Sequence, residues 1–270
     1  MPYVRDGADR ERTAIERRAI TKLANALEKQ LQLALPNEAA VSEAVARLEL
    51  GEQELEDALL EMINAAALLG TDVGRSQIDA IYGVDKQLDD IDWGSLAGDA
   101  VAWVTQHVKN LMMELRQTSR DALTKAVAQW TGTGQDVGVL RDTLETMGFG
   151  FDRKRAKLIA QTETTNAFSK GMVMAWTASQ VVVGKKWMTA NDEAVCPICA
   201  VLGGMRFAGD GAIPASSVER ERRAEEVGLD SAFTHEGGGG AASQFKGETF
   251  QRPPAHPNCR CWLQPVVAFR

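Results

Sequence analysis

Two short stretches decide the fold of the C-terminal third of this chain: Cys196-Pro197-Ile198-Cys199 and His256-Pro257-Asn258-Cys259-Arg260-Cys261. A C-x-x-C pair is common by chance, but two thiolates at this spacing can face one ion from a tight turn. The second stretch adds one imidazole and two further thiols to the donor set. The pattern predicts one zinc-type metal centre with five candidate ligands: Cys196, Cys199, His256, Cys259 and Cys261.

A structural zinc ion takes four ligands in a tetrahedral arrangement, so one of the five candidates is displaced. On an extended strand, residues 259 and 261 would point the same way, and both could then reach one ion. The spacing leaves open whether Cys259, Cys261 or His256 is the residue that stays outside. A site closed by four protein ligands is structural, and its metal contributes to folding.

Two disulfides, or buried free thiols, are the alternatives to a metal. All four cysteines lie after residue 195. The N-terminal segment Met1 to Gly7 lacks the apolar region of a secretory signal peptide. We therefore expect a soluble protein in a reducing, cytoplasm-like compartment, where clustered cysteines bind metal more often than they pair.

The composition narrows the class of partner. The chain has 270 residues, 44% of them hydrophobic and 6% aromatic, and its net charge is -7 with a pI of about 5.2. An acidic chain of this kind is neither a globally basic nucleic-acid binder nor suited to an anionic membrane surface. No stretch approaches the roughly 20 apolar residues that a membrane-spanning helix needs.

Helical periodicity dominates the sequence up to about residue 179. Apolar residues recur every three or four positions over 8–35, 41–48, 55–69 and 95–130, with Gly70 predicted to stop the third run. The last run predicts either one long helix or two helices with a break near Ser119. Shorter helices are predicted over 136–147 and from Asp152 to about Ser179, with Asp152 as the cap. The apolar helix faces before residue 120 predict packing, either within the chain or against a partner helix.

The pattern changes after residue 180. Strands are predicted over 181–189, 205–207 and 261–264, and the charged residues 214–233 predict a solvated helix or a mobile insertion. The fold class is therefore mainly α. A helical docking or assembly region, residues 1–120, precedes a small α+β domain, residues 121–270, that carries the Cys/His centre.

A catalytic alternative is a metal-dependent, nuclease-like hydrolase in which Asp192 and His256 form an acid/base pair. No second carboxylate cluster lies near Asp192, so we expect no enzyme. Of the other histidines, His107 is predicted to be structural or at the surface, and His235 to be solvated beside the glycine run. Glu163 is predicted to form an ion pair with Arg260 or Arg153, to lie on a solvated helix face, or to be functional.

Four segments over about residues 121–265 resemble the phage Mu F-like head morphogenesis proteins, the minor head or minor capsid proteins of tailed phages. In chain order they are Ile159 to Gly171 with its Thr162-Glu163 pair, Lys186-Trp187-Met188-Thr189 leading to Asp192, Val195 to Gly204, and Pro253 to Cys261. Each segment alone is weak, but the ordered set is specific. Two features depart from the family: Gln161 stands where Arg is usual, and residues 214–246 are longer than in compact versions, which predicts an insertion.

The resemblance implies a structural virion protein present in few copies at the portal vertex or in the head interior, and in the host cytoplasm during assembly. The implied role is head morphogenesis, with DNA packaging or ejection as a finer function. Its implied partners are the portal protein, the major capsid protein or both, and phage DNA. Neither a membrane nor a small-molecule substrate is expected.

Overall fold

The computed structural model describes residues 5–37, 43–82, 92–130, 136–146, 151–189, 195–203, 206–208, 211–213, 226–237 and 240–267. Long helices dominate this part of the chain, as the periodicity predicted. They are α1 (Arg5–Ala34), α2 (Ala44–Arg47), α3 (Glu52–Tyr82), α4 (Trp93–Trp130), α5 (Val137–Thr146), α6 (Arg153–Ser179) and α7 (Pro197–Leu202). A mainly α fold with a small sheet region is therefore confirmed. None of the helices in the described ranges is long and apolar enough to cross a membrane.

Seven short strands lie before and after α7 within the described ranges. They are β1 (Val182–Met188), β2 (Arg206–Ala208), β3 (Gly211–Ile213), β4 (Glu226–Gly228), β5 (Phe233–Thr234), β6 (Thr249–Phe250) and β7 (Trp262–Val267). The central sheet has the order β4-β1-β7 and is antiparallel, with Trp187 opposite Leu263 and Lys185 opposite both Pro265 and Val227. Two separate hairpins are formed by β2-β3 and β5-β6.

The chain divides into two compact units. The first contains Met1–Arg5, Ala66–Ala100 and Thr165–Arg270, and the second contains Asp6–Ala65 and Val101–Thr164. Helices α3, α4 and α6 each contribute residues to both units. The predicted division at residue 120 falls inside α4. The division into a docking region and a C-terminal domain stays a prediction.

The second unit has an apolar core built by the end of α1, by α2, α4 and α5, and by Phe151. Its buried members are Leu31, Ala34, Leu35, Ala44, Leu48, Leu123, Ala126, Val137, Leu140, Leu144 and Phe151. Residues 95–130 were predicted to form one long helix or two with a break near Ser119, and α4 is one helix that continues through Ser119. The Ser119 side chain is buried and accepts a hydrogen bond from the Arg155 guanidinium at 2.9 Å, so a polar residue at this position serves a buried contact.

In the first unit, α3 and α6 approach closely at glycines. A Cβ atom on Gly70 would lie 2.0 Å from the carbonyl oxygen of Phe168, and one on Gly171 would lie 2.0 Å from that of Ala67. The prediction that Gly70 stops a helix was wrong, since α3 runs on to Tyr82. Gly70 has no side chain, and this lets α6 pack closely against α3.

The prediction for residues 214–233 was wrong where the structure describes them. Residues 226–228 form β4, which pairs with β1, and Phe233 starts the β5-β6 hairpin. Residues 214–225 lie outside the described residues. Whether 214–246 is an insertion relative to other members of its family stays a prediction.

Candidate metal centre

The first cysteine pair lies at the start of α7. Cys196 occupies the N-cap position, and its sulfur accepts a hydrogen bond from the backbone N–H of Cys199 at 3.3 Å. Pro197 fits the next position because its fixed φ suits a first helical turn, where no N–H partner is needed. This tight turn brings both sulfurs to one side of the chain, as the C-x-x-C spacing predicted.

The second cluster forms a turn immediately before β7. Cys259 donates its backbone N–H to the carbonyl of His256, and Asn258 adopts a left-handed φ of 63°. The carbonyl of Cys259 in turn accepts a hydrogen bond from the hydroxyl of Thr165 at 3.4 Å, which ties the turn to α6. Cys261 directly precedes the first residue of β7, Trp262.

The structure brings all five predicted side chains into two overlapping groups that share Cys199. The ligand atoms of Cys196, Cys199 and His256 lie within 4.8 Å of one another, and so do those of Cys199, Cys259 and Cys261. The Nε2 atom of His256 lies 2.8 Å from the Cys196 sulfur and 3.1 Å from the Cys199 sulfur. Cys199 is therefore the centre of the cluster.

The spacing of the donors fits a metal better than it fits a disulfide. The sulfurs of Cys199 and Cys259 are 3.5 Å apart, far beyond the roughly 2.05 Å of an S–S bond, and all four cysteines are free thiols. Two thiolates at about 2.3 Å from a tetrahedral zinc ion lie roughly 3.8 Å apart. The Cys199 and Cys259 sulfurs therefore need only a small movement to hold one ion.

The His256 imidazole is oriented to present Nε2 to the cysteines. Its Nδ1 lies 2.7 Å from the carbonyl oxygen of Pro257, to which an Nδ1–H can donate. A backbone carbonyl at one ring nitrogen leaves the other free to bind a metal, and this is the usual arrangement around metal-binding histidines. His256 thus has the geometry of a ligand, although it was one of the three residues that could have been displaced.

Close packing of the donors separates their proton affinities. The hydrogen bond between Cys196 and Cys199 lowers the pKa of Cys196 to about 4. The hydrogen bond between His256 and Cys196 raises the pKa of His256 to about 9. The hydrogen bond with Cys199 lowers the pKa of Cys259, while the hydrogen bonds with Cys196 and Cys259 raise the pKa of Cys199. Protons are thus shared among these donors, and a metal ion would replace them.

One side of the centre is open. A shallow pocket is lined by Val195, Asn258 and Arg260 together with Cys196, Cys199, His256 and Cys261. Cys196 and His256 are half-buried, whereas Cys199, Cys259 and Cys261 are 2–3% exposed. Four of the five candidate ligands therefore border the pocket, and Cys259 does not.

The catalytic pairing of His256 with Asp192 is not tested, because Asp192 lies outside the described residues. His107 has a structural contact: its Nε2 is 2.6 Å from a carboxylate oxygen of Glu163, and its ring stacks on Trp103. Glu163 thus contacts a histidine, and the predicted ion pair with Arg260 or Arg153 stays a prediction.

The expectation that His235 is solvated was wrong. Its side chain is fully buried, and its Nδ1 accepts the backbone N–H of Gly237 at 3.1 Å. The backbone of His235 also exchanges hydrogen bonds with Glu248 and Gly247. The polar flanking sequence suggested exposure, but the β5-β6 hairpin folds over the ring.

Sequence reasoning missed two residues that adjoin the centre. Thr165 follows the Thr162-Glu163 pair and is buried against the Cys259 turn, and Trp187 is fully buried on β1. Thr165 carries no local signal in the sequence. The alternation along β1 could have placed Trp187 on the inner face, but its neighbour there depends on the register with β7.

The fold and the site together define a helical protein with a small sheet module that carries a four-cysteine, one-histidine cluster. The family model for phage Mu protein F-like proteins matches residues 117–264, more than half of the chain. The chain belongs to the phage Mu F-like family, as the four ordered segments predicted. Membership favours a phage head morphogenesis protein with a structural role. Searches of curated proteins and of solved structures returned no match.

Proposed function

We propose that this protein is a structural minor head protein of a tailed phage whose C-terminal module is held together by one zinc ion. The observation that carries the proposal is the pair of overlapping donor groups, Cys196, Cys199 and His256 and Cys199, Cys259 and Cys261, inside the segment that matches the family. Family membership supports the head morphogenesis role, and the donor chemistry supports the metal.

Zinc is favoured because the donors are soft thiolates and one imidazole, with no carboxylate among the described residues of the cluster. Cys199, Cys259 and Cys261 would each hold the ion with a thiolate, and His256 or Cys196 would complete the set. Bound zinc would supply structural cross-linking, since four protein ligands leave no position for a reacting water. It would join α7, and through it β1, to the turn before β7.

The proposed partners are the portal protein, the major capsid protein or both, with phage DNA as a further contact. The long helices support this reading, because an amphipathic helix offers a face on which a protein partner can dock. The proposed location is the head interior or the portal vertex, after assembly in the host cytoplasm. Packaging and ejection are the two finer roles that this location would serve.

The partner proposal is tested in assembling heads. A tagged full-length chain expressed during infection should co-purify with portal protein and with filled heads, at a copy number per head far below that of the major capsid protein. Recovery only as a free protein, with heads that assemble normally in its absence, would refute it.

The metal proposal is tested on purified full-length protein by elemental analysis. One zinc per chain, retained through gel filtration and released together with loss of near-ultraviolet circular dichroism under chelation, is the expected result. A nuclease assay on the same sample separates the hydrolase alternative: DNA cleavage that His256→Ala abolishes without unfolding the chain would overturn the structural assignment.

A further inference from the structure

Trp187 is a large, fully buried side chain outside the set of candidate ligands. It lies on β1, is fully buried, and makes edge-to-face contacts with Phe233 and Phe250. Its indole N–H is also buried, and it has no hydrogen-bond partner among the described residues. Buried indole N–H groups usually find an acceptor, so this one requires an explanation.

The sheet register places the indole beside Cys261. Trp187 lies opposite Leu263 in the antiparallel pair of β1 and β7, and Cys261 is two residues before Leu263. Side chains two positions apart on one strand share a face, and a long aromatic ring reaches its diagonal neighbour across the pair. Trp187 and Cys261 are therefore neighbours on the inner face of the sheet.

The protonation state of the neighbouring sulfur decides how good an acceptor this N–H can find. A neutral thiol is a weak hydrogen-bond acceptor, whereas a metal-bound thiolate is a strong one. The Trp187 N–H therefore gains a strong acceptor when the neighbouring Cys261 sulfur is a metal-bound thiolate.

We propose that Trp187 is a positioning residue of the metal centre, whose indole N–H donates to the Cys261 thiolate when the metal is bound. This inference rests on the proposed zinc centre and sharpens it, because it makes Cys261 one of the four ligands. Cys199, Cys259 and Cys261 then form a buried three-sulfur base. The fourth position belongs to the half-buried pair Cys196 and His256 at the pocket.

Partners of metal ligands typically contribute 10- to 100-fold in metal affinity. The variant Trp187→Phe keeps an aromatic ring in the packing with Phe233 and Phe250 but removes the N–H. The matched control is Trp176→Phe: Trp176 is also fully buried in the same unit, but its indole N–H donates to Gln77 at 3.1 Å. A loss of packing alone would affect both variants alike.

The experiment uses the full chain loaded with Co²⁺, followed by zinc competition against a chelator. Wild type should show intense thiolate-to-cobalt charge-transfer absorption. Trp187→Phe should shift that absorption and bind zinc about 10- to 100-fold more weakly, with Trp176→Phe unchanged in both. An unaltered spectrum and affinity in Trp187→Phe would overturn the role of Trp187 alone, whereas wild type that binds no Co²⁺ or zinc would overturn the zinc centre and this inference together.

A measurement without substitution covers the case in which Trp187→Phe fails to fold. In wild type loaded with ¹¹³Cd²⁺, the indole N–H of Trp187 should move downfield and show scalar coupling to the metal nucleus through the N–H···S hydrogen bond. Loaded protein in which that proton shows no coupling and exchanges freely with solvent would overturn the proposal.

Discussion

Replacement of Gly171 by alanine tests the closest helix contact in the first unit. The new Cβ would lie 2.0 Å from the carbonyl oxygen of Ala67 and 2.8 Å from the backbone nitrogen of Thr71. Both neighbours are backbone atoms of α3, so no side-chain rotation can relieve the overlap. To reach ordinary contact distance, α6 and α3 must separate by roughly 1 Å, which is on the scale that forfeits up to about half of a dispersion contact.

The expected loss of stability follows from the side chains along this contact. Phe168 and Met172 are buried on α6, and each contributes about 1.5–3 kcal/mol by its burial. Losing a quarter to a half of that packing costs about 1–3 kcal/mol, in line with measured overpacking penalties. The higher helix propensity of alanine offsets up to about 1 kcal/mol of this loss of stability. We expect a net destabilisation of about 1–2 kcal/mol.

The control is Gly98→Ala on α4, where no heavy atom lies within 4 Å of the added Cβ. This substitution should stabilise the chain by up to about 1 kcal/mol, because only the propensity difference acts. Urea unfolding followed by far-ultraviolet circular dichroism gives both values. Equal stability of the Gly171→Ala and Gly98→Ala variants would refute the account of the α3–α6 contact.

Three further predictions concern the site and the sheet. Cys199→Ser should reduce bound zinc, measured by elemental analysis, more than Cys196→Ser does, because only Cys199 belongs to both donor groups. Zinc affinity should rise with pH up to about 9, because the raised pKa of His256 means that the metal-free protein holds a proton that the metal must displace. Calorimetry in buffers of different ionisation enthalpy should detect the release of this proton. A zinc affinity that does not depend on pH would argue against His256 as a ligand. Burial lowers the pKa of Lys185 to about 8, so its charge destabilises the fold fully below pH 8 and progressively less towards pH 10.5. Lys185→Met should therefore raise stability at pH 7 by about 1–2 kcal/mol, and less at pH 10, in thermal unfolding; a gain of the same size from the control Lys186→Met, at the neighbouring ion-paired position, would contradict this cause.

Local patterns predicted the secondary structure wherever a repeating face or a cap determines it. The start of α6 is an example, since the side chain of Asp152 accepts the backbone N–H of Arg155 at 2.8 Å, as a capping residue should. The stop expected at Gly70 was wrong, and of the two alternatives for residues 95–130 the single helix is observed rather than a break near Ser119. A small or polar residue within a helix signals an end only when no neighbouring element uses it, and that neighbour lies far away in the chain.

The spacing of the cysteines and His256 determined which donor atoms this protein brings to its candidate metal centre, because a C-x-x-C turn and a histidine flanked by prolines are local geometries. The ordered segments around them determined the family. Only the tertiary structure decided that Cys199 lies at the centre of the cluster, that His235 is buried, and that Trp187 adjoins Cys261. Each of these depends on strand register and on helix packing between distant segments, and a one-residue change of register would turn every side chain of β7 to the other face.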